Sequence, residues 1–212
     1  MLTSQPADLH TIAATVHGRF LMRSGPAERL LVGFHGYAQN ARIHLDDLLQ
    51  IPGIETWTVA SVQALHPFYA RENIGASWMT SQDRELAIDD NIAYVRSVVE
   101  SLHTPETIVF LGFSQGAAMA YRAAANIRCH GAIALGGDVP PDVTANLPPV
   151  LIGRGVRDDW YTQEKLEENL KLLASITHVT TCVYDGAHEW TAEFREAVAR
   201  FLSSWPTTAS KS

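Results

Sequence analysis

A chain of 212 residues, 46% hydrophobic and 18% charged, has the size and mixture of one globular domain rather than of a disordered segment. A net charge of −7 with the basic residues scattered excludes a nucleic-acid surface, which needs clustered Lys and Arg. No apolar run reaches transmembrane length, the opening Met-Leu-Thr-Ser-Gln-Pro lacks the basic start of a secretory leader, and Cys129 and Cys182 form no C-x-x-C pair. A cytoplasmic protein with two reduced thiols and no stable membrane insertion is the expectation. The expected extent is a single domain over 1–212, with a polar tail from about residue 206.

In chain order, Thr11 to Met22 is expected to supply a hairpin or edge strand, followed by strands at Leu30 to Phe34 and Trp57 to Val62. Ile88, Ile92, Val95, Val99 and Leu102 recur at steps of three and four, which predicts a long helix with Thr80 and Asp83 at its cap. Thr107 to Leu111 and Gly131 to Leu135 read as further strands, separated by a small-residue helix from Ala117 to Ala125. Strands then follow at Val150 to Ile152 and Val179 to Tyr184. Leu166, Leu170 and Leu173 form one more helical stripe after Thr162. Phe194, Val198, Phe201, Leu202 and Trp205 form the last, after Thr191. Short apolar strands alternating with helices predict an α/β fold: a mostly parallel central sheet, helices on both faces, and no large lid domain.

The strand at Thr107 runs into Gly112-Phe113-Ser114-Gln115-Gly116 and then a helix, the context a G-x-S-x-G nucleophile requires. The serine sits on a tight turn, so residues two positions to either side must lack side chains. The helix that follows aims the positive end of its dipole at the site. A serine hydroxyl needs a neighbouring base, and sites of this type take it from the loop after the last strand. His188, in Tyr184-Asp185-Gly186-Ala187-His188, has that place among nine histidines. The acid should lie between the two in sequence. Asp158, Asp159 and Asp138 all follow strands there, with Asp158 preferred.

Acyl transfer also needs two donors for the tetrahedral oxygen. The amide of Gln115 is one, and the turn His35-Gly36-Tyr37 can present the Tyr37 amide as the other. Large side chains on the functional loops (Phe68, Tyr69, Trp78, Trp160 and Trp190) suggest an apolar substrate mouth, with Phe68, Trp78, Trp160 and Trp190 as its candidates.

Together, His35-Gly36-Tyr37, Gly112-Phe113-Ser114-Gln115-Gly116, Gly155 with Asp158, and Gly186 with His188 resemble the phospholipase/carboxylesterase family of α/β-hydrolases. The likeness runs from about Leu30 to Leu202. It implies a triad of Ser114, Asp158 and His188, oxyanion amides at Tyr37 and Gln115, and no metal or organic cofactor. The implied substrate is a small-molecule ester of short or medium acyl chain. An acyl-protein thioesterase, a lysophospholipase and a non-catalytic binding protein on the same fold stand as alternatives. Departures are Ala117, Arg154 before Gly155, and Trp78-Met79-Thr80, where many members carry a second glycine, a histidine, and a Trp-aromatic-Asp loop.

Overall fold

The computed structural model describes residues 7–102 and 105–205. Seven strands form the main sheet in the order β1-β3-β2-β6-β7-β8-β9. Its centre is β2 (Arg29–Phe34), β6 (Thr107–Phe113), β7 (Gly131–Leu135) and β8 (Val150–Gly155), with β3 (Thr58–Gln63) and β9 (Val179–Tyr184) outside them. These six run parallel, and β1 (Arg19–Arg23) closes one edge antiparallel to β3. Central strands covered on both faces carry continuous apolar runs, as Leu30-Leu31-Val32 and Val109-Phe110-Leu111 do.

Successive side chains of a strand alternate between faces, so each run feeds two cores. Leu30, Val32, Phe34 and Phe110 pack with residues of α2 (Arg84–Ser101), α3 (Gln115–Asn126) and α4 (Gln163–Leu173). Leu31, Val109 and Leu111 pack with α1 (Ala41–Leu48) and α5 (Ala192–Leu202) on the opposite face. The Arg29 guanidinium lies 5.1 Å from the Trp57 ring centroid and donates 3.2 Å to the Trp205 carbonyl beyond α5, joining the start of β2 to the end of the last helix.

Several expectations change. Of the stretch Thr11 to Met22, only the part from Arg19 is strand; residues 11–18 stay outside the sheet. At the start of α2, Asp83 has a left-handed backbone with φ of 50° and no side-chain capping bond. Thr80 Oγ1 instead donates to the Gln82 carbonyl, so the expected cap does not form. Two elements have no counterpart in the pattern reading. One is α1, capped by Asn40, whose Oδ1 accepts from the amides of Arg42 (3.0 Å) and Ile43 (3.1 Å). The other is a separate hairpin of β4 (His66–Ala70) and β5 (Asn73–Ser77). The polar tail from 206 lies outside the described residues.

The register sets the site. Phe113 pairs with Leu135, Leu135 with Gly153, and Gly153 with Cys182, so β6, β7, β8 and β9 run level across the sheet. Their carboxyl ends therefore discharge loops along one rim, the usual ligand edge of an open α/β sheet.

Candidate active site

Ser114 occupies the corner between β6 and α3 with φ of 55° and ψ of −118°, a backbone region that L-residues enter only at a cost. The flanking glycines make the corner feasible. A Cβ on Gly112 would stand 2.0 Å from the Gly116 carbonyl oxygen, and one on Gly116 would stand 2.0 Å from the Phe34 carbonyl oxygen. Both partners are backbone, so neither can move aside. The Ser114 amide is secured to the Leu135 carbonyl at 2.8 Å.

His188 stands on the loop between β9 and α5. Its Nδ1 lies 2.8 Å from Asp158 Oδ2, and the Asp158 side chain is fully buried while that of His188 is 21% exposed. The other carboxylate oxygen of Asp158 accepts the amides of Trp160 (2.9 Å) and Tyr161 (2.8 Å). Asp159 is exposed, and Asp138 pairs with Lys165 at 3.2 Å. Geometry falls on the preferred candidate: of Asp138, Asp158 and Asp159, Asp158 is the one bonded to His188.

Two observations bring the His188 ring to the same rim as the Ser114 corner. The Phe113 ring, one residue before the serine, lies 5.0 Å from the imidazole centroid. The dipeptide Gly136-Gly137, leaving β7, touches both groups. A Cβ on Gly136 would stand 2.9 Å from His188 Cε1, and one on Gly137 would stand 2.5 Å from the Ser114 carbonyl oxygen. Sequence reasoning passed over this pair, although a double glycine directly after a strand is itself a signal of close backbone approach.

The His35-Gly36-Tyr37 turn faces the same corner, since a Cβ on Gly36 would lie 3.4 Å from Ser114 Cβ. Gln115 opens α3, where first-turn amides have no intrahelical acceptor. The Gln115 side chain reaches the other way: its Oε1 accepts the Trp78 amide at 3.0 Å and its Nε2 donates to Ser77 Oγ at 3.0 Å. His35 is buried and bridges two strand ends, with Nε2 accepting the Ala64 amide (3.1 Å) and Nδ1–H donating to the Gly36 carbonyl (2.7 Å). Burial lowers its pKa to about 4, so the ring is neutral.

The aromatic candidates separate. Trp78 is fully buried, edge-on to Phe34 at 5.4 Å, with its Nε1 donating to the His35 carbonyl at 2.8 Å. A side chain with no exposed surface cannot meet a substrate, so Trp78 leaves the expected mouth and joins the core beneath it. Trp190 is half-buried, packed on Phe113, Phe194 and the Arg195 guanidinium. Trp160 is 77% exposed, and the half-buried Phe68 packs on exposed Tyr37 with ring centroids 5.4 Å apart. Among the described residues, no three His, Cys, Asp or Glu side chains are grouped to hold a metal ion, and no helix is long and apolar enough to cross a membrane.

Residues 76–206 match the sequence model of the phospholipase/carboxylesterase family. Among solved structures, the chain is similar to esterase PE8, with 22% identity, a TM-score of 0.72, and 89% of this chain and 99% of that one covered. It is similar to a phospholipase/carboxylesterase from Dyadobacter fermentans, at 23% identity and TM-score 0.67 over 88% and 97% of the two chains. Acyl-protein thioesterase 2 from Zea mays aligns at 18% identity and TM-score 0.70 over 89% and 99%. At these identities the structural likenesses establish the fold alone. A comparison with curated protein sequences returns no match.

Proposed function

The chain belongs to the phospholipase/carboxylesterase family, and from that premise we propose that it is a serine carboxylesterase acting on esters of small or medium acyl chain. The observation that supports the reading is that one rim of the sheet carries both a strained serine corner and a histidine whose Nδ1 is held by a buried carboxylate.

In this reading Ser114 Oγ attacks the ester carbonyl carbon while its proton passes to His188 Nε2. Asp158 remains ionised, fixing the Nδ1–H tautomer and stabilising the imidazolium. The amides of Tyr37 and Gln115 receive the carbonyl oxygen as it becomes an oxyanion, and the helix α3 dipole adds to their field. Collapse expels the alcohol, protonated by His188, and leaves an acyl group on Ser114. Water, deprotonated by His188, then releases the acid. Phe68 with Tyr37, and Trp160, offer the exposed apolar surface for the acyl chain.

The test is a fluorophosphonate probe followed by peptide mapping, beside hydrolysis of p-nitrophenyl acetate, butyrate and octanoate, a thioester and a lysolipid. An adduct on Ser114 with turnover of the shorter esters is expected. Absence of any adduct would favour a binding protein, and preference for the thioester or lysolipid would move the substrate class.

A further inference from the structure

Arg154 is the penultimate residue of β8 and is 6% exposed. Among the described residues it makes no ion pair. A buried cation that touches no carboxylate, though its field reaches the exposed Glu164, carries a desolvation cost that a neutral residue of similar volume would avoid. What it touches is the loop of residues 156–162 between β8 and α4. Its Nε donates to the Tyr161 carbonyl at 2.9 Å, Nη1 to Gln163 Oε1 at 3.3 Å, and Nη2 to the Val156 carbonyl at 3.5 Å. One rigid planar fork thus holds the start of the loop, its end, and the first residue of α4.

Asp158 lies between those anchors. The first half of the loop is also tied by backbone bonds, from Val156 to Tyr184, Arg157 to Gly186 and Asp158 to Gly155. The second half has one such tie, at its end, where the Thr162 carbonyl accepts the Leu166 amide at 3.1 Å. Its amides at Trp160 and Tyr161 are bound to Asp158 Oδ1 itself, and the carbonyls of Tyr161 and Trp160 go to Arg154 and to Lys165, which donates to Trp160 at 2.8 Å. Tyr161 therefore relays: its N–H orients the carboxylate while its C=O is held by the guanidinium.

We propose that Arg154 is a positioning residue for the reaction, holding Asp158 in register with His188 through the backbone of Tyr161, whose two flanking peptide groups bind the guanidinium and the carboxylate. The proposal rests on the reading of Ser114, Asp158 and His188 given above. Arg154→Met should lower kcat on p-nitrophenyl butyrate by about 10²-fold, the scale of a small misplacement of a catalytic group, with KM nearly unchanged. It should also weaken the downfield Nδ1–H proton resonance of His188. Because the effect passes through Asp158, adding Arg154→Met to Asp158→Asn should cost nothing further.

Equal losses from Arg154→Met in the wild-type and Asp158→Asn backgrounds would overturn the proposal, as would an unchanged resonance and kcat. Arg154→Lys keeps the charge but cannot bridge three acceptors in one plane. If the Met variant fails to fold, the Lys variant gives the same reading: a kcat loss absent in the Asp158→Asn background supports the proposal, and full activity overturns it. Asp158→Asn alone distinguishes the two levels. If it retains wild-type kcat, the reading of the site fails and Arg154 with it. If it loses activity while the Arg154 variants do not, only Arg154 is wrong.

Discussion

A methyl group at Gly136 would stand 2.9 Å from His188 Cε1 and 3.3 Å from Asp158 Oδ2, on a backbone with φ of +63°. Gly136→Ala should therefore push the imidazole out of line and lower kcat by about 10²-fold, with KM changing little. Steady-state kinetics on a p-nitrophenyl ester would check it. Ser114→Ala is expected to cost on the order of 10⁶ in kcat, by analogy with another triad enzyme, leaving no probe adduct. Asp158→Asn should cost about 10⁴-fold, whereas Asp159→Asn and Asp138→Asn should leave the rate unchanged. Sequence nominated Ser114 through its flanking glycines and His188 through its place after the last strand, two signals that the pattern of elements makes visible. It preferred Asp158 to Asp159 and Asp138 on position alone, since the partner that distinguishes them is thirty residues away. It could not tell a loop tryptophan facing solvent from Trp78, whose N–H finds a carbonyl inside.

The elements differ in how they announce themselves. Strands β6, β7, β8 and β9 begin at the positions read from the sequence; in the central β6, β7 and β8 a run buried on both faces is apolar and easily seen. The hairpin of β4 and β5 is half-exposed and carries Pro67 and Gly75, so neither alternation nor an apolar run marks it. Helix α1 is only eight residues long, too short for its stripe of Leu45 and Leu48 to stand out. Its clearest mark is the cap. Asn40→Ala should cost about 1 kcal/mol, measured by urea unfolding at constant m-value. Gly116→Ala is a different case. The methyl would meet the Phe34 carbonyl, and α3 would have to part from β2, so a loss of about 3 kcal/mol is expected from the same measurement.

At the scale of the whole molecule, acid is the condition that opposes the fold. Burial lowers the pKa of His35 to about 4 and that of His44, fully buried and close enough to His35 to feel its charge, to about 3. Both rings therefore stay neutral in the folded chain after an unfolded histidine has taken up a proton. Above about 6.5 neither state binds that proton and stability is unaffected; as pH falls toward 4 the unfolded chain gains protons that the folded chain refuses. Each histidine should remove about 2 kcal/mol of stability between pH 6.5 and 5. Neither His44 nitrogen has a well-formed hydrogen bond, so His44→Leu should halve that slope in urea unfolding at the two pH values.

The family match begins at residue 76, yet β2 pairs along its whole length with β6, Arg29 with Thr107 through to Phe34 with Gly112. A fragment starting at Ala76 would keep Ser114, Asp158 and His188 but present β6 as a bare edge, apolar on both sides, with its amides and carbonyls open to any passing strand. Such a piece is a template for self-association rather than a minimal enzyme. Residues 19–63, which supply β1, β2 and β3, are thus part of the housing of the candidate site, even though their own sequence falls outside the recognised segment.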